Sequence, residues 1–420
     1  MMPLWLSRDL TLSAKTMVNL DRLRHGLAAL ALVWFVVVSV TASLKYSTLG
    51  VTRECVLPVW AFVLVMWPEM VQETRLLLRS KVILATLVVL VICACAWLLR
   101  GYSIHEPRLR FMLGVALLFP AAAGWFRQVG PMGMQFAFVV KAGVLAFACF
   151  KFGVAIFQNM PAREIMARPP IYRHLRHLNY DLALISGMAG GVFAHKASLA
   201  KILWCLTFVL LGYFSFWSGG RGQFLTLGVV LISLGATMRA SDDVRFAGLL
   251  IIAFLLGGLG VILSGETGFL LGALERSSRE NLDMISTGRL AIWVGTLSKS
   301  MSSLGSALFG FGPEAFERMG LLRSFIVHPH NVLVQWVLEY GLLGAGMLMA
   351  SGTLMGWRCV LPALLSGEGM DRVCAATVIG MTAFAMVDGV YYHAAPLLFI
   401  TLMWAYLFAR KPGAFQAQPT

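Results

Sequence analysis

Charge is what this 420-residue chain has least of. Asp, Glu, Lys and Arg together make up 13% of it, against 59% hydrophobic residues, whereas soluble domains run near a quarter charged and about half apolar. A soluble globular enzyme is therefore excluded, and a mean hydropathy of +0.78 marks an all-α polytopic membrane protein. Metal signatures are missing as well: there is no Asp-x-Asp and no His-Glu-x-x-His. The seven cysteines (Cys55, Cys93, Cys95, Cys149, Cys205, Cys359 and Cys374) fall in or beside apolar runs without zinc-type spacing, so neither a disulfide framework nor a metal centre is expected. No cofactor and no nucleic-acid partner is expected either. The first 25 residues lack an apolar core followed by a small-residue cleavage site, which argues against a cleavable signal peptide. They read instead as an interfacial amphipathic segment on the cytoplasmic surface of a phospholipid bilayer.

What is present is a series of apolar runs near the roughly 20-residue length that crosses hydrocarbon. Expected spans lie at about 26–44, 51–68, 82–99, 110–126, 133–157, 180–195, 199–218, 222–238, 245–263, 331–356, 371–391 and 394–410, about twelve in all. Pro58 makes the second the least regular, and 180–195 is rich in glycine. The expected organisation is a cytoplasmic segment 1–25, transmembrane helices over 26–263, a long outer loop 264–330, further spans over 331–410 and a cytoplasmic tail 411–420. Arg8, Lys15, Arg22 and Arg24 before the first span, Arg75, Arg79 and Lys81 after the second, and Arg410 and Lys411 after the last favour cytoplasmic termini. The outer face is then unusually basic.

Loops as long as 264–330 are commonly functional. Within it, Arg289, Trp293 and Leu297 recur every fourth residue, which predicts helix, and "FGFGPEAF" (309–316) reads as a Gly/Pro turn. A second outer loop, about 158–179, is rich in Arg, His and Pro.

Three motifs on that face carry chemistry. In "SGGRGQF" (218–224), Arg221 sits between glycines that permit a tight turn, and its planar fork suits phosphate oxygens. The bland alternative is a loop Arg that fixes topology or touches headgroups. In "STGRLAIW" (286–293), Arg289 falls in the first turn of a helix, where anions rather than cations are favoured. It either meets an anion or pairs with Asp283 or Glu280. In "HPHNVLVQWVLEYG" (328–341), Pro329 is expected in the first helical turn. Asn331, Gln335 and Glu339 form a polar stripe that is interhelical glue or a cavity wall.

His330 is the candidate base, since imidazole ionises near neutrality and can accept a hydroxyl proton. His328 and His330 as metal ligands have only Asp388 and His393 to complete them. In "AMVDGVYYHAAP" (385–396), Asp388, Tyr391 and Tyr392 are expected near the outer end of the penultimate helix. Asp388 either orients His330, holds an acceptor or forms a structural ion pair with an outer Arg. Lys141 and Lys151 are expected to snorkel or to face the cavity.

These residues suit a membrane enzyme acting on a lipid-linked phosphate or diphosphate, with Arg221 and Arg289 in place of the Mg²⁺ that many glycosyltransferases hold with carboxylates. One base suffices, because diphosphate leaves without protonation, unlike the two-carboxylate arrangement of glycosidases. "HNVLVQWVLEYGLLG" after a long outer loop, "SGGRGQF", "STGRLAIW" and "LFGFGPEAF" together resemble the O-antigen ligase and polymerase superfamily over about residues 200–400. "RHLNYDLALISG" (176–187) is a looser match.

The resemblance implies a metal-independent, inverting enzyme of GT-C type in the bacterial inner membrane, its active site facing the periplasm. It would move O-antigen from undecaprenyl diphosphate to lipid A-core. It assigns catalysis to His330 and Asp388 and diphosphate binding to Arg221 and Arg289, with His328, Asn331, Tyr391, Arg176 and His177 as possible support. The second histidine, His328, leaves the identity of the base open. The large helical loop favours a ligase over an O-antigen polymerase. The short tail argues against the protein-glycosylating branch, which carries a longer C-terminal region. An anionic-lipid transporter is the alternative from another class, but the paired broken helices expected of one are not seen.

Overall fold

The computed structural model describes residues 22–34, 53–102, 106–158, 175–187, 198–237, 241–265, 288–320, 328–366 and 369–410. Among the described residues the chain is all-helical. The helices are α1 (22–34), α2 (Arg53–Val65), α3 (Trp67–Leu78), α4 (Lys81–Leu99), α5 (Glu106–Val129), α6 (Pro131–Phe157), α7 (Leu175–Ser186), α8 (Ser198–Ser218), α9 (Arg221–Gly235) and α10 (Ser241–Leu263). After the long loop come α11 (Arg289–Ser300), α12 (Leu304–Phe309), α13 (Ala315–Arg318), α14 (Val332–Met355), α15 (Leu361–Ser366), α16 (Gly369–Ala385) and α17 (Ala394–Ala409). Most of the segment 1–25, the tail 411–420 and the loop residues 266–287 lie outside the described residues.

Among the described residues, four helical stretches are long and apolar enough to cross a membrane: Lys81–Leu99, Arg110–Val129, Pro131–Ala155 and Val332–Leu365. Shorter apolar helices, among them Trp204–Ser218 and Ala394–Ala409, accompany them. Their polarity is inverted relative to a soluble fold. On α4 the outward residues are Leu84, Leu87, Val88, Val91 and Ile92, while Thr86, Cys93 and Trp97 are buried. Thr86 shares a 2.6 Å hydrogen bond with Ser351 of α14. Polar side chains inside and aliphatic ones outside are what a lipid solvent selects, since lipid gives no reason to hide leucine.

The central core is built by α5, α16 and α17, where Phe126 meets Tyr406 edge-on at 5.5 Å and Ala375, Ala376, Met381 and Leu398 are buried. One end of the bundle is tied by ion pairs between residues expected on the inner side. Arg127 grips both oxygens of Glu73, at 2.5 and 2.9 Å, and donates to Ala409 O at 3.0 Å. Asp371 takes the Tyr406 hydroxyl at 2.6 Å and Arg410 at 3.4 Å.

Four expectations need correction. The span expected at 51–68 is α2 alone and ends at Val65: Met66, with φ of −98° and ψ of 22°, leaves the helix just before Pro68, and α3 runs on separately from Trp67. Lys141 does not snorkel: its ammonium lies 2.6 Å from Asp181 Oδ1, both side chains almost fully buried, and 5.4 Å from the Phe399 ring centroid.

The span at 331–356 is interrupted at Gly341, with φ of 67° and ψ of −176°, and turns π-helical over Gly356–Val360. The Gly341 break is filled by the loop before it. Phe311 and Gly312 donate their backbone N–H groups to Leu338 O and Glu339 O, each at 2.9 Å, so the carbonyls released by the break are satisfied, as an apolar surrounding demands. Gly310 and Gly341 let the two backbones touch, since a Cβ on Gly310 would come within 2.5 Å of Glu339 C and Gly341 N. Finally, the penultimate helix stops at Ala385, so Asp388, Tyr391 and Tyr392 occupy a turn between α16 and α17 rather than the end of a helix.

Candidate active site

The turn after α16 and the approach to α14 meet at the end of the bundle opposite those ion pairs. Pro329 precedes α14 instead of entering its first turn, and its carbonyl accepts from Trp293 Nε1 of α11 at 2.8 Å. His330 adopts a left-handed backbone with φ of 57°, uncommon outside glycine but several-fold enriched for Asn, Asp and His. Its N–H donates to His328 Nδ1 at 3.2 Å. Asn331 then caps α14, accepting from Leu333 N at 2.9 Å and Val334 N at 3.1 Å, while its own amide donates to Met386 O at 2.9 Å. Asn331 therefore fastens the start of α14 to the turn that bears Asp388.

Asp388 is the hub. Its Oδ1 accepts from Gly389 N at 2.7 Å and from the Tyr180 hydroxyl at 3.2 Å, and lies 3.0 Å from His330 Nδ1. Its Oδ2 lies 3.9 Å from Arg289 NH2. An ionised carboxylate can only accept, so with Asp388 ionised and the imidazole neutral this contact puts the ring proton on His330 Nδ1 and makes Nε2 the basic nitrogen. Asp388 and His330 are both buried, at 6% and 5% exposure, while the Arg289 side chain stays 23% exposed.

Imidazoles and phenols surround this pair. The ring of His328 lies 4.1 Å from that of His330, 4.9 Å from Tyr392 and 5.3 Å from His393. His393 in turn meets His177 at 5.0 Å. Gly389 is the only residue type that admits this stack, because a Cβ there would stand 2.7 Å from His328 Nδ1 and closer still to two other ring atoms.

Arg289 opens α11 directly after Gly288, which is left-handed with φ of 78°. Its partner is thus Asp388, across the site, and Asp283 and Glu280 lie outside the described residues. Arg221 opens α9 after Gly219, with φ of 61°, and Gly220. The close approach of Gly220 to Asn179 of α7, whose Nδ2 would lie 2.6 Å from a Cβ there, explains why no larger residue precedes the arginine.

The remaining candidates fall less centrally. Tyr391 shares a 3.2 Å hydrogen bond with Thr382 and packs near Trp336, while Tyr392 faces His328. Gln335 Nε2 donates to Glu339 Oε1, which also receives Glu314 N at 3.0 Å, so that part of the polar stripe joins α14 to the long loop. The side chain of Arg176 lies outside what is described. Sequence reasoning missed Tyr180 and Asn179. The sole signal for them was the loosely matching "RHLNYD" stretch, in which nothing sets Asn179 and Tyr180 apart from their polar neighbours.

His328, His330 and Asp388 each offer a donor atom, all within 4.8 Å of one another, so a cation is geometrically conceivable. Much of their acceptor capacity is already committed, however, because His328 Nδ1 takes the His330 N–H and Asp388 Oδ1 receives three groups.

Residues 206–349, about a third of the chain, match the family model described as O-antigen ligase. The matched segment contains Arg221, Arg289, His328 and His330 and stops short of Asp388. No curated protein matches the chain.

Proposed function

The chain belongs to the O-antigen ligase/polymerase family, and from that premise we propose that it is a metal-independent, inverting glycosyltransferase of about twelve spans and GT-C-type architecture. In this reading it works at the periplasmic face of the bacterial inner membrane, with both termini cytoplasmic. It transfers O-antigen glycan from undecaprenyl diphosphate to a hydroxyl of lipid A-core.

The observation that carries the reading is the hydrogen bond from His330 Nδ1 to Asp388, with Arg289 beside the second carboxylate oxygen. His330 Nε2 takes the proton of the acceptor hydroxyl as its oxygen attacks the anomeric carbon. The bond from that carbon to the diphosphate oxygen breaks, and the departing oxygen keeps the electron pair. Arg221 and Arg289 supply fixed positive charge where negative charge grows, the task a bound cation would otherwise perform. Asp388 holds the imidazole in its useful tautomer and stabilises the imidazolium that forms, without itself accepting the proton.

The test is transfer by purified protein, in excess EDTA, from undecaprenyl-diphosphate glycan to lipid A-core, comparing wild type with His330→Ala. Glycosylated lipid A-core formed despite EDTA, and lost in the variant, is the expected result. Longer undecaprenyl-linked chains without modified lipid A-core would identify a polymerase. Movement of intact lipid with no new covalent product would identify a transporter.

A further inference from the structure

Three consecutive side chains of α7 reach three different elements. Asn179 Oδ1 accepts from Ser218 Oγ at 2.8 Å, and Ser218 is the last residue of α8, immediately before the Gly219 and Gly220 turn that delivers Arg221. Tyr180 donates its hydroxyl to Asp388, while its ring packs against Phe384 at 5.5 Å and His393 at 5.3 Å. Asp181 pairs with Lys141 of α6 at 2.6 Å. All three are buried.

Neighbouring residues on a helix project about 100° apart, so these contacts engage three sides of α7. Rotating the helix, or sliding it by a turn, would break at least two of them. The axes of α9 and α16 are set by their own packing, with Gly380 against Thr226 and Val230. Gly222 also packs against Phe384 close to both turns, an apolar contact that leaves the orientation of the Arg221 turn and of the Asp388 carboxylate to hydrogen bonds. The side chains of α7 supply one such bond at each turn.

We propose that α7 is a positioning strut. Asn179 sets the Arg221 turn, Tyr180 sets Asp388 and through it His330, and the Asp181 to Lys141 pair fixes the helix between them. The anion-binding and proton-accepting halves of the site are thereby held at one separation. The proposal rests on the reading of Arg221 as a diphosphate ligand and His330 as the base. Holding the halves apart correctly matters because a displacement of about 1 Å in a reacting geometry can lower a rate roughly 10²-fold. Asn179 and Tyr180 are positioning residues, since each acts through another group.

The two ends of the strut have separable signatures in the full-length protein reconstituted in lipid. Asn179→Ala is expected to raise the KM for undecaprenyl-diphosphate glycan about tenfold and to leave kcat within about twofold. Tyr180→Phe is expected to lower kcat about tenfold at unchanged donor KM, a size fitting one lost hydrogen bond to a charged group. Asn179→Ala combined with Ser218→Ala should be no worse than the worse single variant, because both remove the same bond.

Hydrogen exchange gives a readout independent of chemistry. Asn179→Ala should speed exchange around residues 218–221 but not 386–393, and Tyr180→Phe should do the reverse. Equal loss of kcat and donor affinity in both variants, or wild-type kinetics in both, would overturn the strut. If wild type transfers no sugar from any lipid diphosphate, the functional reading fails, and exchange that is uniform or unchanged would then remove the strut as well.

Discussion

His330 Nδ1 lies 3.0 Å from Asp388 Oδ1 although 58 positions separate the two residues, and neither sits in a helix. Each occupies a turn that the other helps to hold, with Asn331 linking them through Met386 O. The pair therefore behaves as one unit. His330→Ala should lower transfer by about 10²–10⁴. Asp388→Asn, which keeps the shape but offers an amide that can donate to the wrong tautomer, should fall nearly as far. The double variant should be no slower than His330→Ala alone, and a rate that is the product of the two single losses would show that they act separately. Steady-state rates on protein of verified expression decide this.

The arginines make a different prediction. Arg289 stands 3.9 Å from Asp388 Oδ2, too far for a tight ion pair, with its side chain partly exposed. Arg289→Ala and Arg221→Ala should each lose donor binding or turnover by tenfold or more, and lysine at either position should restore only part of it, because an ammonium cannot span two phosphate oxygens in a planar fork. Direct measurement of undecaprenyl-diphosphate binding tests this, and wild-type affinity in both alanine variants would remove the clamp.

Gly389 supplies a third test, at a position with no chemistry of its own. A Cβ there would collide with the His328 ring, and His328 Nδ1 holds the backbone N–H that fixes the left-handed turn at His330. Gly389→Ala should therefore reduce activity about tenfold while expression and helical content stay normal. Removing the ring should remove the collision, so Gly389→Ala with His328→Ala should match His328→Ala alone. Additive losses would place the effect of Gly389 elsewhere.

The helices were readable in the sequence because lipid imposes long apolar runs, and the bounds of α4, α6, α8 and α17 fall within about two residues of expectation. Arg289, His330 and Asp388 stood out in the sequence because an ionisable group in such a chain needs a reason, and the fold brings the three together. What was not readable were the interruptions. Gly341 lies inside an apolar run that looks continuous, and its break is visible only once Phe311 and Gly312 are seen to fill it. Tyr180 was hidden for a similar reason: its hydroxyl gains a role from Asp388, 208 positions away, and nothing local distinguishes it from other membrane tyrosines.

That filled break makes the last prediction one of stability. Gly310 has φ of 69° and ψ of −164°, a region that essentially only glycine occupies, where other residues cost about 1–3 kcal/mol. A Cβ would also press on the backbone of Glu339 and Gly341, the segment where Phe311 and Gly312 satisfy the exposed carbonyls. Gly310→Ala should lower the thermal midpoint in detergent by several degrees and loosen the long loop from α14. Gly295→Ala is the matched control. It lies inside α11 with nothing within 4 Å of its Cβ position, where alanine should be neutral or stabilising by about 0.5–1 kcal/mol. Parallel melting curves decide the matter. A Gly310 variant as stable as wild type would mean that the loop does not hold the break, and a Gly295 variant that melts early would mean that its exposed face is covered in the folded protein.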